Sequence, residues 1–271
     1  MSIKLIAIDI DGTLLNADHV LTQHTVDTIR TATIKDIQVV LCSGRPYSGV
    51  ASYLDRLGLN QSAHHYVITL NGAVVQTTSQ KLLVSQALNS ADYQKFAKMA
   101  QEKGIHFHAE TEDAIYTPDV PVGRYTTLDA TLTGLPVMHQ PGQGVSAKTV
   151  IYKGMLADEP KYLTRFLADQ QLVTTLQQKY YVVRSQPYFL EMMNAHANKG
   201  AALAFLGQQL GVTPDEMMAI GDQANDLTMM SFVDNGVAMG NAIPEVKQAV
   251  KFVTATNDED GVAVAIEHYV L

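Results

Sequence analysis

The chain is predicted to be an α/β protein, a parallel-sheet core covered by helices and interrupted by an inserted α+β domain. Three observations predict it. Short apolar runs alternate with helix-like segments up to about residue 83, and the alternation returns at Asn198. Four of those runs end in polar, glycine-containing turns, DIDGT, SGRP, NGA and GDQAND. Between 84 and 190 the pattern changes to scattered strand-like and helical pieces, which reads as an insertion. The core is therefore placed at 1–83 and 191–271, and the inserted domain at 84–190.

Taken in order, residues 3–8 (IKLIAI) form a run of the kind that a buried parallel strand requires. A helix is expected over 22–35, with Val26, Ile29 and Ile34 near helical spacing. The strand 37–42 (IQVVLC) ends at Ser43-Gly44-Arg45-Pro46, and a helix from about Tyr47 stops at Gly58. A third strand, 66–70 (YVITL), ends at Asn71-Gly72. In the insertion, strands are expected at 105–108, 149–153, 181–184 and 188–192, with helices near 90–103 and 159–170. The Gly-, Pro- and Thr-rich stretch 117–147 reads as loops and turns. A helix then opens at Lys199-Gly200 and ends at Gly211. Strand 217–220 (MMAI) leads into Gly221-Asp222-Gln223-Ala224-Asn225-Asp226, and strand 236–239 (GVAM) precedes Gly240-Asn241-Ala242. In an open parallel sheet, ligands bind outside the carboxyl ends of the strands, so the four polar turns converge on one crevice.

Composition narrows the function. With 271 residues, 46% hydrophobic and 17% charged, the chain is globular and large enough for a core domain and a smaller second one. A net charge of -8 argues against a nucleic-acid partner, which needs a basic face. The single cysteine, Cys42, allows no intrachain disulfide. No apolar stretch approaches the roughly 20 residues of a membrane helix, and the first apolar run is broken by Asp9 and Asp11, unlike a signal peptide. A cytoplasmic protein with no membrane partner is expected; whether it is a monomer or a homo-oligomer is left open.

Two acids at spacing two, Asp9 and Asp11, point their carboxylates to one side of an extended backbone. Like charges held together call for a cation or a shared proton, although an Asp-Gly turn with a capping acid would give the same pair. Asp9 is placed to attack a phosphoryl group, and Asp11 to act as general acid and base. Asp222 and Asp226 add carboxylates at another strand end, a donor set suited to Mg²⁺. Ser43 and Gly44 offer a hydroxyl and a flexible backbone for gripping phosphate, or simply a turn. Lys199 at a helix start opposes the helix dipole, so a functional role is favoured over a solvated one in this company. His106 and His108 share a strand face without an obvious zinc set and are read as incidental, and Cys42 as a small buried hydrophobe.

Together these motifs resemble the haloacid dehalogenase-like hydrolases, and within them the Cof-type sugar-phosphate phosphatases. DIDGTLL (9–15), SGRP (43–46), NKG (198–200) and GDQAND (221–226) fall in the family's order. Asn71-Gly72-Ala73, MGNA (239–242) and Asp260-Gly261-Val262-Ala263 are lesser signatures of the subfamily. The resemblance implies a Rossmann-like core with an α/β cap inserted between the second and third motifs. It implies Asp9 as nucleophile and Asp11 as general acid/base. Mg²⁺ would be held by Asp9, the Asp11 main-chain carbonyl and Asp222, with Asp226 close by. Phosphate would be gripped by the Ile10 main chain, Ser43, Gly44, Lys199 and Asn225. Ser43 stands where the family more often has Thr, and the hydroxyl survives. Arg45, Asn71 and Arg184 are candidate substrate contacts.

The function expected is a Mg²⁺-dependent phosphatase of small phosphorylated metabolites, sugar phosphates foremost, working through an aspartyl-phosphate. A phosphohexomutase, which shares this core and cap type, and a receiver-like phospho-aspartate module are the competing readings. The length and the large insertion weigh against the receiver.

Overall fold

The computed structural model describes residues 2–141, 145–146 and 148–271. The chain divides into two compact units, one of residues 1–44, 50–85 and 198–271, the other of 45–49 and 86–197.

The first unit is built on β1 (Leu5–Ile8), β2 (Gln38–Cys42), β3 (Tyr66–Thr69), β4 (Val74–Thr77) and β5 (Leu82–Ser85), joined after the second unit by β12 (Met217–Gly221), β13 (Asn235–Ala238) and β14 (Phe252–Val253). They form one sheet in the order β14-β13-β12-β1-β2-β3-β4-β5. All pairings from β14 to β3 are parallel, and β4 and β5 are added antiparallel. β1 is central and wholly buried, with Leu5 opposite Met217 on one side and Gln38 on the other. Burial on both faces is what its unbroken aliphatic run supplies. The two antiparallel strands were not foreseen. They follow because Gly72, at φ +91, turns the chain straight back along β3.

Helices α1 (Gln23–Ile34), α2 (Ala51–Leu57), α7 (Lys199–Leu210), α8 (Leu227–Phe232), α9 (Pro244–Ala249) and α10 (Gly261–Tyr269) complete this unit. Two of them start where the sequence places a cap. Thr22 accepts from Thr25 N–H, and Asn198 from Ala201 N–H. Gly58 and Gly211 end α2 and α7 in the left-handed conformation.

The second unit is a sheet in the order β10-β11-β9-β6-β7-β8, from β6 (Phe107–Glu110), β7 (Ile115–Thr117), β8 (Val137–His139), β9 (Lys153–Ala157), β10 (Tyr180–Gln186) and β11 (Phe189–Asn194). One face carries Phe107, Ala109, Leu156, Leu190 and Met192 and packs on α3 (Ser90–Lys103), α5 (Pro160–Leu167) and α6 (Gln170–Gln177). The other carries Met155, Ala157 and Phe189 and packs on Tyr125 of α4 (Arg124–Thr133). Each large apolar side chain buried this way contributes about 1.5–3 kcal/mol.

Several expectations within this unit are corrected. The strand expected at 149–153 begins at Lys153 and continues through Gly154, whose missing side chain makes room for the Phe96 ring. Ahead of it, Ile151 forms only an isolated bridge with Leu88. The stretch expected as loops contains α4 and β8. Threonine-rich α4 has weak intrinsic helix preference, but Thr127, Thr131 and Thr133 each return a hydroxyl to a carbonyl four residues back. Residues 142–144 and 147 of that stretch lie outside the described residues. The helix expected at 159–170 is two helices, because Asp169 caps α6 through Leu172 N–H. A boundary at 190 would cut β11, which is paired on both sides, and the unit runs on to Ala197. No helix among the described residues is long and apolar enough to cross a membrane.

Candidate active site

The carboxyl ends of β1, β2, β3 and β12 carry the polar turns of the first unit. Asp9 leaves β1 in an extended conformation with its N–H bonded to Ile220 O (3.0 Å). The chain then turns within Ile10–Leu14, where Gly12 takes φ +80. A side chain at Gly12 would begin 2.5 Å from Asp222 Oδ2, so glycine here serves both the turn and the approach of Asp222. Thr13 donates its hydroxyl to Asp222 Oδ1 (3.0 Å), tying the first motif to the fourth.

Lys199 is the centre of the cluster. Its side chain is fully buried, and its ammonium donates to Asp9 Oδ1 (2.5 Å) and Asp226 Oδ1 (2.6 Å). Asp226 Oδ2 accepts from the N–H groups of Asp222 (2.9 Å) and Gln223 (3.0 Å). Both oxygens of Asp226 are thus engaged in holding Lys199 and the 221–223 turn. That turn needs Gly221, where a side chain would start 2.5 Å from the Asp226 carboxyl carbon. Lys199 can enter at a helix start because Gly72 lies against the 198–199 peptide. An added side chain there would meet Asn198 O at 2.3 Å.

Electrostatics follow from this geometry. Burial raises the Asp9 carboxyl well above the ordinary 3.8, and Asp226 and Asp222 add to this while Lys199 opposes it. Burial and then Asp226 push Asp222 up to about 7. Burial works against the Lys199 ammonium, but Asp226 and Asp9 outweigh it and hold its pKa above the usual lysine range. Ligand oxygens of Asp9, Asp222 and Asp226 lie within 4.8 Å of one another, all buried. Three carboxylates face one ammonium, and the surplus negative charge fits a hard divalent cation with oxygen ligands.

A second polar group forms beside the first. Asn71 is wholly buried at φ 53; its N–H donates to Ser43 O (2.9 Å), and its Oδ1 accepts from Asn225 Nδ2 (2.9 Å). Gly44 lies against the Asn71 amide, which a side chain at Gly44 would meet at 3.2 Å. Asn225 Oδ1 is buried with no hydrogen-bond partner among the described residues. Ser43, Gly44, Asn71 and Asn225 are therefore brought together. Ile10 is buried, whereas Asp11 is half-buried and stands outside the trio of buried acids.

The remaining candidates lie in the second unit. The Arg45 guanidinium donates to Leu132 O (3.2 Å) and Gly49 O (3.5 Å). Arg184 bonds Thr164 Oγ1 and Pro160 O of α5 and Pro187 O of the turn after β10. His108 is no bystander. Its Nε2 faces Asp129 Oδ2 (3.0 Å) and its Nδ1 faces Thr126 Oγ1 (3.0 Å), with Glu110 close by. The Lys153 ammonium lies 2.7 Å from Glu110 and 3.8 Å from Glu191. Burial lowers the His108 pKa to about 4, so the ring is neutral, and Lys153 supplies the cluster's positive charge. Cys42 is buried and its thiol is pushed up to about 12 by that burial, in keeping with a small hydrophobe. Thr13 was not singled out from sequence; its place inside the first motif was the available signal.

A family model for haloacid dehalogenase-like hydrolases matches residues 6–266. The chain belongs to this family. A Streptococcus pyogenes protein bearing a provisional phosphatase name is 38% identical over 272 residues, covering 100% of both chains. The 5-amino-6-(5-phospho-D-ribitylamino)uracil phosphatase YcsE of Bacillus subtilis is 29% identical over 271 residues, covering 100% of this chain and 97% of its own. A crystal structure of a haloacid dehalogenase-like hydrolase from Bacteroides thetaiotaomicron superposes with a TM-score of 0.84 at 30% identity, covering 98% of this chain and 99% of that one. This chain is accordingly an enzyme of the family, and its full-length relatives include phosphatases.

Proposed function

We propose that this enzyme is a Mg²⁺-dependent phosphomonoesterase of small phosphorylated metabolites that works through an aspartyl-phosphate on Asp9. The observation that carries the reading is the buried Lys199 ammonium shared by Asp9 and Asp226, with Asp222 within reach. Asp9 and Asp222, with the Asp11 main-chain carbonyl and Asp226 alongside, would hold Mg²⁺, which when bound offsets charge on the phosphoryl oxygens. Phosphorylated sugars are the favoured substrate class. A relative named for a ribityl phosphate substrate supports it.

The residues divide the work. Asp9 attacks phosphorus; an acyl-phosphate bond forms as the ester P–O bond breaks. Asp11 gives its proton to the leaving oxygen, then takes one from the water that attacks the acyl-phosphate, releasing inorganic phosphate and restoring Asp9. Lys199 orients Asp9 and faces the oxygens on which charge gathers. Ser43, the Gly44 and Ile10 main chain, and Asn225 would grip the phosphoryl group, Asn225 through the second N–H of the Nδ2 that already donates to Asn71 Oδ1.

Changing Asp9 to Asn tests the assignment. Hydrolysis of p-nitrophenyl phosphate should fall by at least about a thousandfold, and wild-type turnover in that variant would rule Asp9 out as nucleophile. With a panel of sugar phosphates the product should be inorganic phosphate. An isomeric sugar phosphate would instead mark a mutase.

A further inference from the structure

The MGNA and NDEDG stretches near the C-terminus take no part in the chemistry above, yet they hold the loop that carries it. Asn241 Nδ2 donates to Gly12 O (2.7 Å), and Asn257 Nδ2 donates to Leu15 O (2.9 Å). Asn241 Oδ1 accepts from the Asn257 N–H (3.0 Å), which fixes the orientation of the Asn241 amide. Asp258 Oδ1 takes the N–H of Ala17 (2.8 Å). Two glycines allow the two C-terminal segments to close on each other. A side chain at Gly240 would meet Thr256 N at 2.8 Å, and one at Gly261 would meet Met239 Cε at 2.8 Å. That is a physical reason for the pattern of glycines in these stretches.

The loop needs outside support. Its internal bonds, Leu14 N–H to Asp9 O and Leu15 N–H to Ile10 O, do not use the carbonyls of Gly12 or Leu15. Gly12 sits at φ +80, a conformation that glycine enters and leaves at little cost. The Gly12 carbonyl belongs to the peptide plane leading into Thr13, and Thr13 holds Asp222. We propose that Asn241 and Asn257 are positioning residues for the phosphoryl-transfer site, setting the Gly12–Leu15 turn and through it Asp11 and Thr13. This rests on the roles given to Asp9 and Asp11 above.

The test compares wild type with Asn241→Ala, Asn257→Ala, the double variant and Asn241→Asp. The aspartate keeps the acceptor for Asn257 N–H and loses the donor to Gly12 O. For the double variant, kcat on p-nitrophenyl phosphate should fall about tenfold with KM within about twofold, since a positioning contact acts on the reacting geometry. Asn241→Asp should fall as far as Asn241→Ala. Amide hydrogen exchange over residues 9–17 should quicken about tenfold while the melting temperature stays within about 4 °C. Unchanged exchange over 9–17 would overturn the proposal, as would a loss of kcat that tracks the melting temperature and disappears on cooling. A wild-type protein without phosphatase activity would sink the reading of Asp9 and Asp11 instead, and exchange would still decide the clasp.

Discussion

Replacing Lys199 by methionine keeps most of the buried stem and removes the ammonium. Its Nζ lies 2.5 Å from Asp9 and 2.6 Å from Asp226, so two buried carboxylates lose their shared partner. At an effective dielectric constant of about 20, each pair is worth about 6 kcal/mol of attraction before the cost of burying the ions. Truncating one partner of a buried pair leaves a net loss of about 3–5 kcal/mol. Proton uptake tempers that loss. Burial already raises the Asp9 carboxyl above 3.8 and Lys199 opposes the rise, so without the ammonium Asp9 takes up a proton more readily, and more so at low pH. A carboxylate whose folded pKa exceeds its unfolded one binds more protons when native, so stability falls as pH rises between the two values. The variant should therefore be about 3–5 kcal/mol less stable than wild type at pH 7, with a smaller deficit at pH 5, by urea unfolding in chelator. A deficit below about 1 kcal/mol at pH 7, or one that does not shrink at pH 5, would refute the reasoning.

Gly12→Ala forces a side chain into φ +80 and against Asp222 Oδ2. It should cost about 2 kcal/mol and weaken the stabilisation expected from Mg²⁺ under the proposed function, read as a smaller metal-dependent rise in melting temperature than in wild type. His24 links α1 to α10 through Glu267 (2.8 Å) and Asp260 (3.3 Å), and those hydrogen bonds raise its pKa, Glu267 foremost. Its contribution is full below 6.5 and is lost as pH rises through the raised value, whereas the lowered Glu267 and Asp260 lose theirs only in acid. The gap in melting temperature between wild type and His24→Gln should be larger at pH 6 than at pH 8, and equal gaps would exclude a charged His24 link. The pair is exposed, so the difference should be modest.

Much of the core was legible because its signals are local. An apolar run buried on both faces, closed by a turn that only certain residues can make, announces a central parallel strand, and β1, β2, β3 and β12 appear where those runs stand. The site was legible for a related reason, since strand ends of a parallel sheet gather whatever polar residues follow them. What escaped was set by tertiary context. Helix α4 is rich in threonine, whose weak helix preference is overridden by packing of Tyr125 on the sheet. β9 runs through a glycine that reads as a break until Phe96 is seen beside it. The bonds of Asp226 to Lys199 and to two backbone N–H groups, which tie it to the 221–223 turn, were likewise not announced by its spacing.

The two units each bury a lysine among three acids, and the contrast shows why only one cluster is a candidate for chemistry. Lys153 stands opposite Glu110 across the β6–β9 pair, and Glu191 lies on the neighbouring strand β11. Backbone pairing on both sides of β9 fixes Lys153 in place, and Asp129 and Thr126 occupy the two nitrogens of His108 from α4. Such a network is held by strands paired on both sides and has little freedom to exchange partners. Lys199, Asp9, Asp222 and Asp226 instead stand where strands give way to turns. Glycines there let the backbone come close. Carboxylates at strand ends can trade one partner for another as a phosphoryl group arrives and leaves, which phosphoryl transfer requires. The composition of the two clusters is nearly the same. Their position along the strands separates them, and that is visible in sequence only for the acids that follow an apolar run.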